Sequence, residues 1–293
     1  MTNNIIIVSI IISEEINFRK DRAMSEMTKQ GYSYDFDMFS EQGREKELKR
    51  LYTQATIAQE QEINFIDSLQ LPENASVLEI GCGPGFVTGI LGDLVPKGTA
   101  HGLDASKELL EAADKLVKPH HSNLSFFEGS AYELPFQDNT YDFIYNRLIY
   151  QHLNNPLKAL QEANRVCKKG GMVTVLDVDA GMQLIEPACP AFEKLNQLAC
   201  EAQMKYGGDR YIGRKLPSLM QQAGFSKVDF KVLPLSSLDF KLADYINITT
   251  RFKAMIVGTS EANQLINEID NFCNAQKTEP FVFVSVFAVT GIV

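Results

Sequence analysis

The chain has no tryptophan, and among its 293 residues are only four histidines and five cysteines. The cysteines (Cys82, Cys167, Cys189, Cys200 and Cys273) are odd in number and show no C-x-x-C spacing. That speaks against a disulfide framework and a thiolate zinc site, and is the pattern of a reducing, cytoplasmic setting. Basic residues are not in excess: 28 Lys and Arg stand against 37 Asp and Glu, a formal net charge of −9. Nucleic-acid binders normally present a basic field, so no nucleic-acid partner is expected. Long hydrophobic runs are missing too. The most apolar stretch, residues 5–12 (IIIVSIII), is eight residues long, whereas a membrane-spanning helix needs about 20. No basic residue precedes it and no small-residue cleavage site follows, so neither a signal peptide nor stable membrane insertion is expected. Residues 1–26 read as a flexible extension before a single domain at 27–293. Repeats and low-complexity tracts are absent.

The remaining composition, 45% apolar and 22% charged, is that of a globular protein with a large core. Between residues 43 and 70, Leu48, Leu51, Tyr52, Ala55, Ala58, Ile63, Ile66 and Leu69 recur at spacings of three and four. This is one face of an amphipathic helix, bent once. Short apolar runs at 76–81, 99–104, 124–128, 141–146 and 172–178 then alternate with helical patterns at 86–95, 106–117 and 156–168. Strands apolar on both faces, joined through helices, predict a parallel sheet with right-handed crossovers. Further on, helices are expected at 190–205, 215–223 and 243–274, the last split near Gly258, with strands at 228–233 and 281–289. The expected architecture is α/β: one mixed sheet with N-terminal helices (about 43–70, placed as a lid) and an inserted helical cap (about 180–213 and 241–276). Tyr32 to Phe36 could fold over a ligand as a further lid.

The sharpest local signal is V-L-E-I-G-C-G-P-G-F from Val77 to Phe86. Three alternating glycines between a buried strand and a helix allow positive φ and close backbone approach, and the helix N-terminus adds amide donors. A dinucleotide fingerprint would be G-x-G-x-x-G, but here the third glycine comes one residue early, at Gly85, and Phe86 is large. Glu79 places a carboxylate near the strand end, which suits an ammonium or sulfonium better than a pyrophosphate. The next strand ends in Asp104, about 20 residues past the turn, where a carboxylate can accept both hydroxyls of a ribose. A helix cap is the other role open to Asp104, and Ser106 could fill that one.

Taken with G-L-D-A-S (Gly102 to Ser106), G-S-A…L-P-F (Gly129 to Phe136), Y-D…N-R-L…H-L-N-N-P (Tyr141 to Pro156) and R-V-C-K-K-G-G (Arg165 to Gly171), the chain resembles the class I S-adenosylmethionine-dependent methyltransferases. The likeness covers roughly residues 45 to 235 and is greatest to the small-molecule branch that includes ubiquinone- and menaquinone-biosynthesis-like enzymes. The resemblance implies a Rossmann-like, doubly wound seven-stranded sheet whose last strand inserts antiparallel between two parallel ones. It implies S-adenosylmethionine as cofactor and S-adenosylhomocysteine as product. Gly81, Cys82 and Gly83 would lie under the adenosine and methionine moieties, with Glu79 near the methionine end. Asp104 would take the ribose, and Ala105 would line the adenine pocket. At Ser130 many relatives carry an aspartate, so only the Ser130 hydroxyl and the Ala131 amide are offered there. Asn146 would face the sulfonium, and Gln54 would reach the methionine carboxylate.

Methyl transfer is an in-line displacement that alignment and water exclusion can accelerate, so the lack of a catalytic triad excludes nothing. If the acceptor must lose a proton, His152 is the candidate base, its other role being to brace a loop. Tyr150, Arg147, Asp177, Asp179 and Tyr211 are rim candidates. His101 reads as structural, His120 and His121 as solvent-facing. A cap carrying Met182, Phe192, Met204, Tyr206, Tyr211, Tyr245, Phe252 and Met255 favours an apolar or aromatic small-molecule acceptor. The D/N-P-P-Y/F motif of DNA amino-methyltransferases is absent at Asn146-Arg147-Leu148-Ile149, which disfavours base flipping. Two alternatives use the same glycine turn: a catalytically silent S-adenosylmethionine-binding or assembly protein, and a nicotinamide-dependent oxidoreductase.

Overall fold

The computed structural model describes Tyr34, Phe36 and residues 39–293. The 1–26 extension and most of the Tyr32 to Phe36 segment lie outside the described residues. In chain order the elements are α1 (Glu41–Thr56), α2 (Gln59–Asp67), β1 (Ser76–Ile80), α3 (Phe86–Leu94), β2 (Thr99–Asp104), α4 (Lys107–Leu116), β3 (Leu124–Glu128) and β4 (Tyr141–Arg147). They continue with α5 (Pro156–Val166), β5 (Cys167–Glu186), α6 (Pro190–Lys205), α7 (Leu216–Gln222), β6 (Lys227–Ser236), α8 (Leu242–Tyr245), α9 (Arg251–Val257), α10 (Ser260–Ala275) and β7 (Phe281–Ile292). A π-turn at Ile246–Thr250 links α8 to α9.

The sheet order is β3-β2-β1-β4-β5-β7-β6. The first five strands pair in parallel, and β7 runs antiparallel between β5 and β6. This is the seven-stranded arrangement that the family resemblance implies, with its last strand reversed. The chain leaves β1 towards β2 and later returns to β4 on the other side, so β1 and β4 flank the topological switch point.

Local sequence sets the helix ends. Ser106 caps α4 by accepting from the Leu109 amide at 3.3 Å. Asn155 does the same for α5 from Lys158 at 3.2 Å, with Pro156 at the first helical position. Gly258 ends α9 at φ +66°, splitting the 243–274 stretch where expected. Apolar clusters fill both sheet faces. One packs α5 and α7 through Leu160, Ala163, Leu216 and Met220; the other packs α2 and α3 through Phe65, Ile66, Val87 and Leu91. A third cluster joins α6, α8, α9 and α10 to the far end of β5 and β7 through Leu195, Tyr245, Ile269, Ile185 and Val282.

Strand β5 differs from expectation at both ends. Helix α5 stops at Val166, and β5 begins at once with Cys167 paired to Tyr141. Strand β5 also runs on to Glu186, because after a register break between Val178 and Gln183 it pairs again with residues 281–284 of β7. Part of the segment assigned to the cap is therefore sheet, held by a partner a hundred residues downstream.

Candidate active site

At the carboxyl ends of the strands a cleft with about 1350 Å³ of empty space opens over the switch point. One wall is the glycine turn. The amides of Gly81 and Cys82 both donate to the Leu103 carbonyl, at 2.7 and 3.0 Å, pinning the turn to the end of β2. Gly81, Gly83 and Gly85 all have positive φ (+75°, +53° and +76°). A methyl group built at Gly83 would meet nothing within 4 Å, so the turn leaves space open above it. Asp104 stands at the tip of β2, where Oδ2 accepts from the Gly83 amide at 2.8 Å and Oδ1 from the Ser106 amide at 2.9 Å. Burial raises its carboxyl above the usual range, and the amides of Ser106, Gly83 and Ala105 oppose that shift.

The opposite wall comes from α1, the β4 exit and the cap. Arg50 forks onto Glu47 at 2.6 and 2.8 Å, and Tyr34 donates to the same carboxylate at 2.7 Å. Arg50 also donates to the Ile248 carbonyl at 3.2 Å and lies 4.2 Å from the Phe252 ring centre, tying α1 to the cap. Arg147 leaves β4 to meet Glu62 at 2.8 Å and the Gln54 carbonyl at 2.7 Å. Glu62 in turn accepts from the Tyr145 hydroxyl at 2.5 Å, so α1 and α2 are latched to the strand tip. A second, mostly apolar cavity lined by Leu233, Leu235, Phe240, Val284 and Val286 shares Gln54, Arg147, Leu148, Val178, Ile248 and Thr249 with the cleft.

The structure brings Gln54, Gly81, Gly83, Asp104, Ala105, Ala131 and His152 to the cleft, and leaves Glu79, Cys82, Ser130 and Asn146 out of its lining. Glu79 is 2% exposed and takes a hydrogen bond from the Thr88 hydroxyl at 2.5 Å; burial pushes its carboxyl up to about 8. It sits one residue before the strand end and turns into the α3 side instead. Cys82 is buried against Gly102. Ser130 accepts from the Tyr132 amide at 3.2 Å within its own loop. Asn146 is fully buried, its amide donating to the Thr174 carbonyl at 3.1 Å. Alternation along the strand sends Arg147, its neighbour, to the cleft in its place.

Of the rim candidates only Arg147 lines the cleft. Tyr150 and Asp177 are wholly buried, Asp179 holds Arg214 at 2.5–2.6 Å, and Tyr211 lies beside Arg214. His101 bonds the Tyr141 hydroxyl at 2.9 Å within an aromatic cluster, as a structural residue would. His120 is exposed, but His121 is half-buried and 3.2 Å from Asp93.

His152 has a defined orientation. Gln203 accepts from Arg210 Nη1 through Oε1 at 3.0 Å, so its amide nitrogen faces the Gln151 carbonyl at 2.7 Å and His152 Nδ1 at 3.3 Å. An amide nitrogen can only donate, and therefore Nδ1 is the acceptor and the imidazole proton sits on Nε2. Burial, then Arg210, then Arg50, lower its pKa to about 3. His152 is thus a neutral imidazole that carries its proton on Nε2, with the Nδ1 lone pair turned to Gln203.

Comparison with known proteins bears on what this cleft takes. The methyltransferase-domain family profile matches residues 78–175. An uncharacterized methyltransferase of Schizosaccharomyces pombe is 40% identical over 110 residues, 35% of this chain and 40% of that one; the chain thus spans less than half of that relative. The demethylmenaquinone methyltransferase of Staphylococcus aureus (strain JH9) is 30% identical over 184 residues, covering 61% of this chain and 71% of that one. The chain belongs to the class I S-adenosylmethionine-dependent methyltransferases. The fold agrees: the YcgJ protein of Bacillus subtilis superposes with a TM-score of 0.55 at 20% identity, over 80% of this chain and 98% of that one. S-adenosylmethionine is the cofactor of this methyltransferase family, and the residues present fit it: a carboxylate at the β2 tip beside open space over a glycine turn.

Phe252 was expected in the cap and does line the cleft, whereas sequence reasoning missed Arg50, Ile248, Thr249 and Arg210 in the lining. Only Arg50 left a signal, as a charged residue three positions after Glu47 on an otherwise amphipathic helix. The others are placed by the cap fold.

Proposed function

We propose that this protein transfers a methyl group from S-adenosylmethionine to an apolar or aromatic small molecule. The observation that carries this reading is the mostly apolar second cavity beside the cofactor cleft, which shares Leu148, Val178, Ile248 and Thr249 with its lining. Asp104 would grip the ribose, Gly81 and Gly83 would let the nucleoside lie against the backbone, and Ala105 and Ala131 would flank the adenine. Gln54 and the latched α1 would close over the methionine end. Bound there, the cofactor supplies a methyl carbon already activated by positive sulfur. The protein's share is alignment and exclusion of water. Ile248, Thr249 and Phe252 cover the acceptor side as a cap, and His152 offers Nε2–H to an acceptor oxygen. The apolar cavity beyond Leu148 and Val178 would take the bulk of the acceptor, and the quinone substrate named for the S. aureus relative has that kind of shape. Among the described residues no helix is long and apolar enough to cross a membrane and no His, Cys, Asp and Glu group is set to hold a metal ion. The five free cysteines suit a cytoplasmic setting.

The test is a metabolite extract incubated with the protein, with and without S-adenosylmethionine, and read for products heavier by one methyl. Product that depends on donor and protein supports the reading; binding of donor with no product from any extract favours a silent binding protein. Once an acceptor is found, His152→Ala is expected to lower turnover about tenfold, the value of one well-placed hydrogen bond, while donor affinity stays within about twofold. Because the imidazole is already neutral above about pH 3, wild-type kcat/KM should show no limb from His152 between pH 5 and 8. A limb lost on substitution would restore His152 as the base.

A further inference from the structure

One side chain in the cleft carries a charge that no carboxylate pairs with among the described residues. Arg210 is 8% exposed and lines the cleft. Its Nη1 donates to the neutral amide of Gln203, and its Nε is buried with no hydrogen-bond partner among the described residues. The neighbouring arginines each hold a carboxylate: Arg50 has Glu47, Arg147 has Glu62 and Arg214 has Asp179. Arg210 makes no such pair among the described residues. Asp177 acts on it through space, but its oxygens accept the amides of Gln151 and Val178 at 3.1 and 2.8 Å. Burial holds Asp177 up at about 7, so its own charge is weakened.

The other groups facing Arg210 do not compensate. Tyr211 and Tyr245 have their phenol pKa values raised, by the hydrogen bond with Cys200 and by burial respectively, so neither supplies a negative charge. Lys253, 2% exposed, donates to the neutral Gln183 at 2.7 Å and has its pKa lowered by burial and by Arg210. Burial, with smaller contributions from Arg210 and Arg50, holds His152 neutral. A buried cation without a counter-ion is costly to fold around, and a guanidinium offers a planar fork suited to an oxyanion. Arg210 is also on the right side of the cleft. Its carbonyl takes the Ala180 amide at 2.8 Å, just past the parallel part of β5, whereas Asp104 and the glycine turn stand at β2 and β1.

We propose that Arg210 anchors the acceptor: its guanidinium holds an ionised oxygen (a phenolate, an enolate or a carboxylate) and so selects acidic aromatic or enolisable molecules for this site. The inference rests on the methyl-transfer reading above. An acceptor that arrives ionised needs no base in the protein, which agrees with the donor orientation of His152. Its lone pair forms the new bond to the methyl carbon as the carbon–sulfur bond breaks, the sulfur keeps that electron pair, and negative and positive charge cancel.

The experiment uses the full chain and three probes of one shape: 4-nitrophenol, whose ionised form has its own visible absorption, 4-nitrobenzoate, and 4-nitroanisole, which cannot ionise. Affinities are measured by calorimetry with and without S-adenosylhomocysteine. Wild type is expected to bind an ionised probe at least about tenfold more tightly than 4-nitroanisole, and to lower the absorbance midpoint of 4-nitrophenol by about one pH unit. Preference for 4-nitrobenzoate or for 4-nitrophenolate tells a carboxylate from a phenolate acceptor, and either supports the proposal. Arg210→Met should erase the preference and the midpoint shift, Arg210→Lys should restore part of both, and both variants should keep S-adenosylhomocysteine affinity within about twofold. Equal wild-type affinity for ionised and methylated probes, or binding of none, overturns the proposal without need of any variant. Loss of S-adenosylhomocysteine affinity in Arg210→Met overturns it too, by placing the guanidinium on the donor. If wild type fails to bind S-adenosylhomocysteine, the methyl-transfer reading falls, while the probe comparison made without it still decides the role of Arg210.

Discussion

Asp104→Ala should weaken S-adenosylmethionine binding by about one to two orders of magnitude. Hydrogen bonds to an ionised group contribute about 1.5–3 kcal/mol each, and each 1.4 kcal/mol is tenfold in affinity. At the low end of that range, losing one ribose hydroxyl contact costs about tenfold and losing both about a hundredfold. The structure adds a second reason. Asp104 also accepts the amides of Gly83 and Ser106, so its removal frees the glycine turn as well as the sugar. Asp104→Asn, which keeps one acceptor oxygen, should lose less than the alanine variant. Calorimetric titration with S-adenosylhomocysteine checks the series, and an unchanged dissociation constant in Asp104→Ala would refute the ribose assignment.

Gly81→Ala is expected to be the most damaging single methyl in the site. Gly81 sits at φ +75°, and an added Cβ would overlap the Ile149 side chain. The left-handed conformation costs a non-glycine residue about 1 kcal/mol and overpacking a further 1–3 kcal/mol. A loss of about 2–4 kcal/mol in denaturant unfolding is predicted, with donor affinity falling alongside because the amide that reaches Leu103 must shift. Gly83→Ala makes the contrast. A Cβ there meets nothing within 4 Å, so it should reduce donor affinity by filling the cleft while destabilising the chain by only about 1 kcal/mol. Equal stability of Gly81→Ala and wild type would show that the turn is not packed as described.

The parts of this fold that were legible in the sequence are those in which one local rule decides. Strands largely apolar on both faces, such as those holding Val77, Leu78 and Ile80 and Phe143 to Tyr145, can only lie between helical layers, and the glycine turn and the Asp104 tip follow at fixed spacing. The reversed last strand came from family likeness, since nothing within residues 281–289 states its direction. Asn146 was misplaced because strand-end position alone does not give parity: one residue along, Arg147 owns the cleft. The length of β5 depends on β7, which no window around Asp179 contains. Arg210 lies in a glycine-rich loop that reads as solvent-exposed, and only packing of α6 and the β5 end buries it. His152 lines the cleft as the sequence places it, but its proton position depends on Gln203, 51 residues on, which no local window contains.

A crystal structure of the protein with S-adenosylhomocysteine tests the central claim most directly. The nucleoside is expected in the cleft over Gly81 and Gly83, with both ribose hydroxyls on the Asp104 carboxylate and the sulfur directed towards the side where His152 and Arg210 stand. Finding the nucleoside bound elsewhere, or its ribose turned away from Asp104, would contradict it.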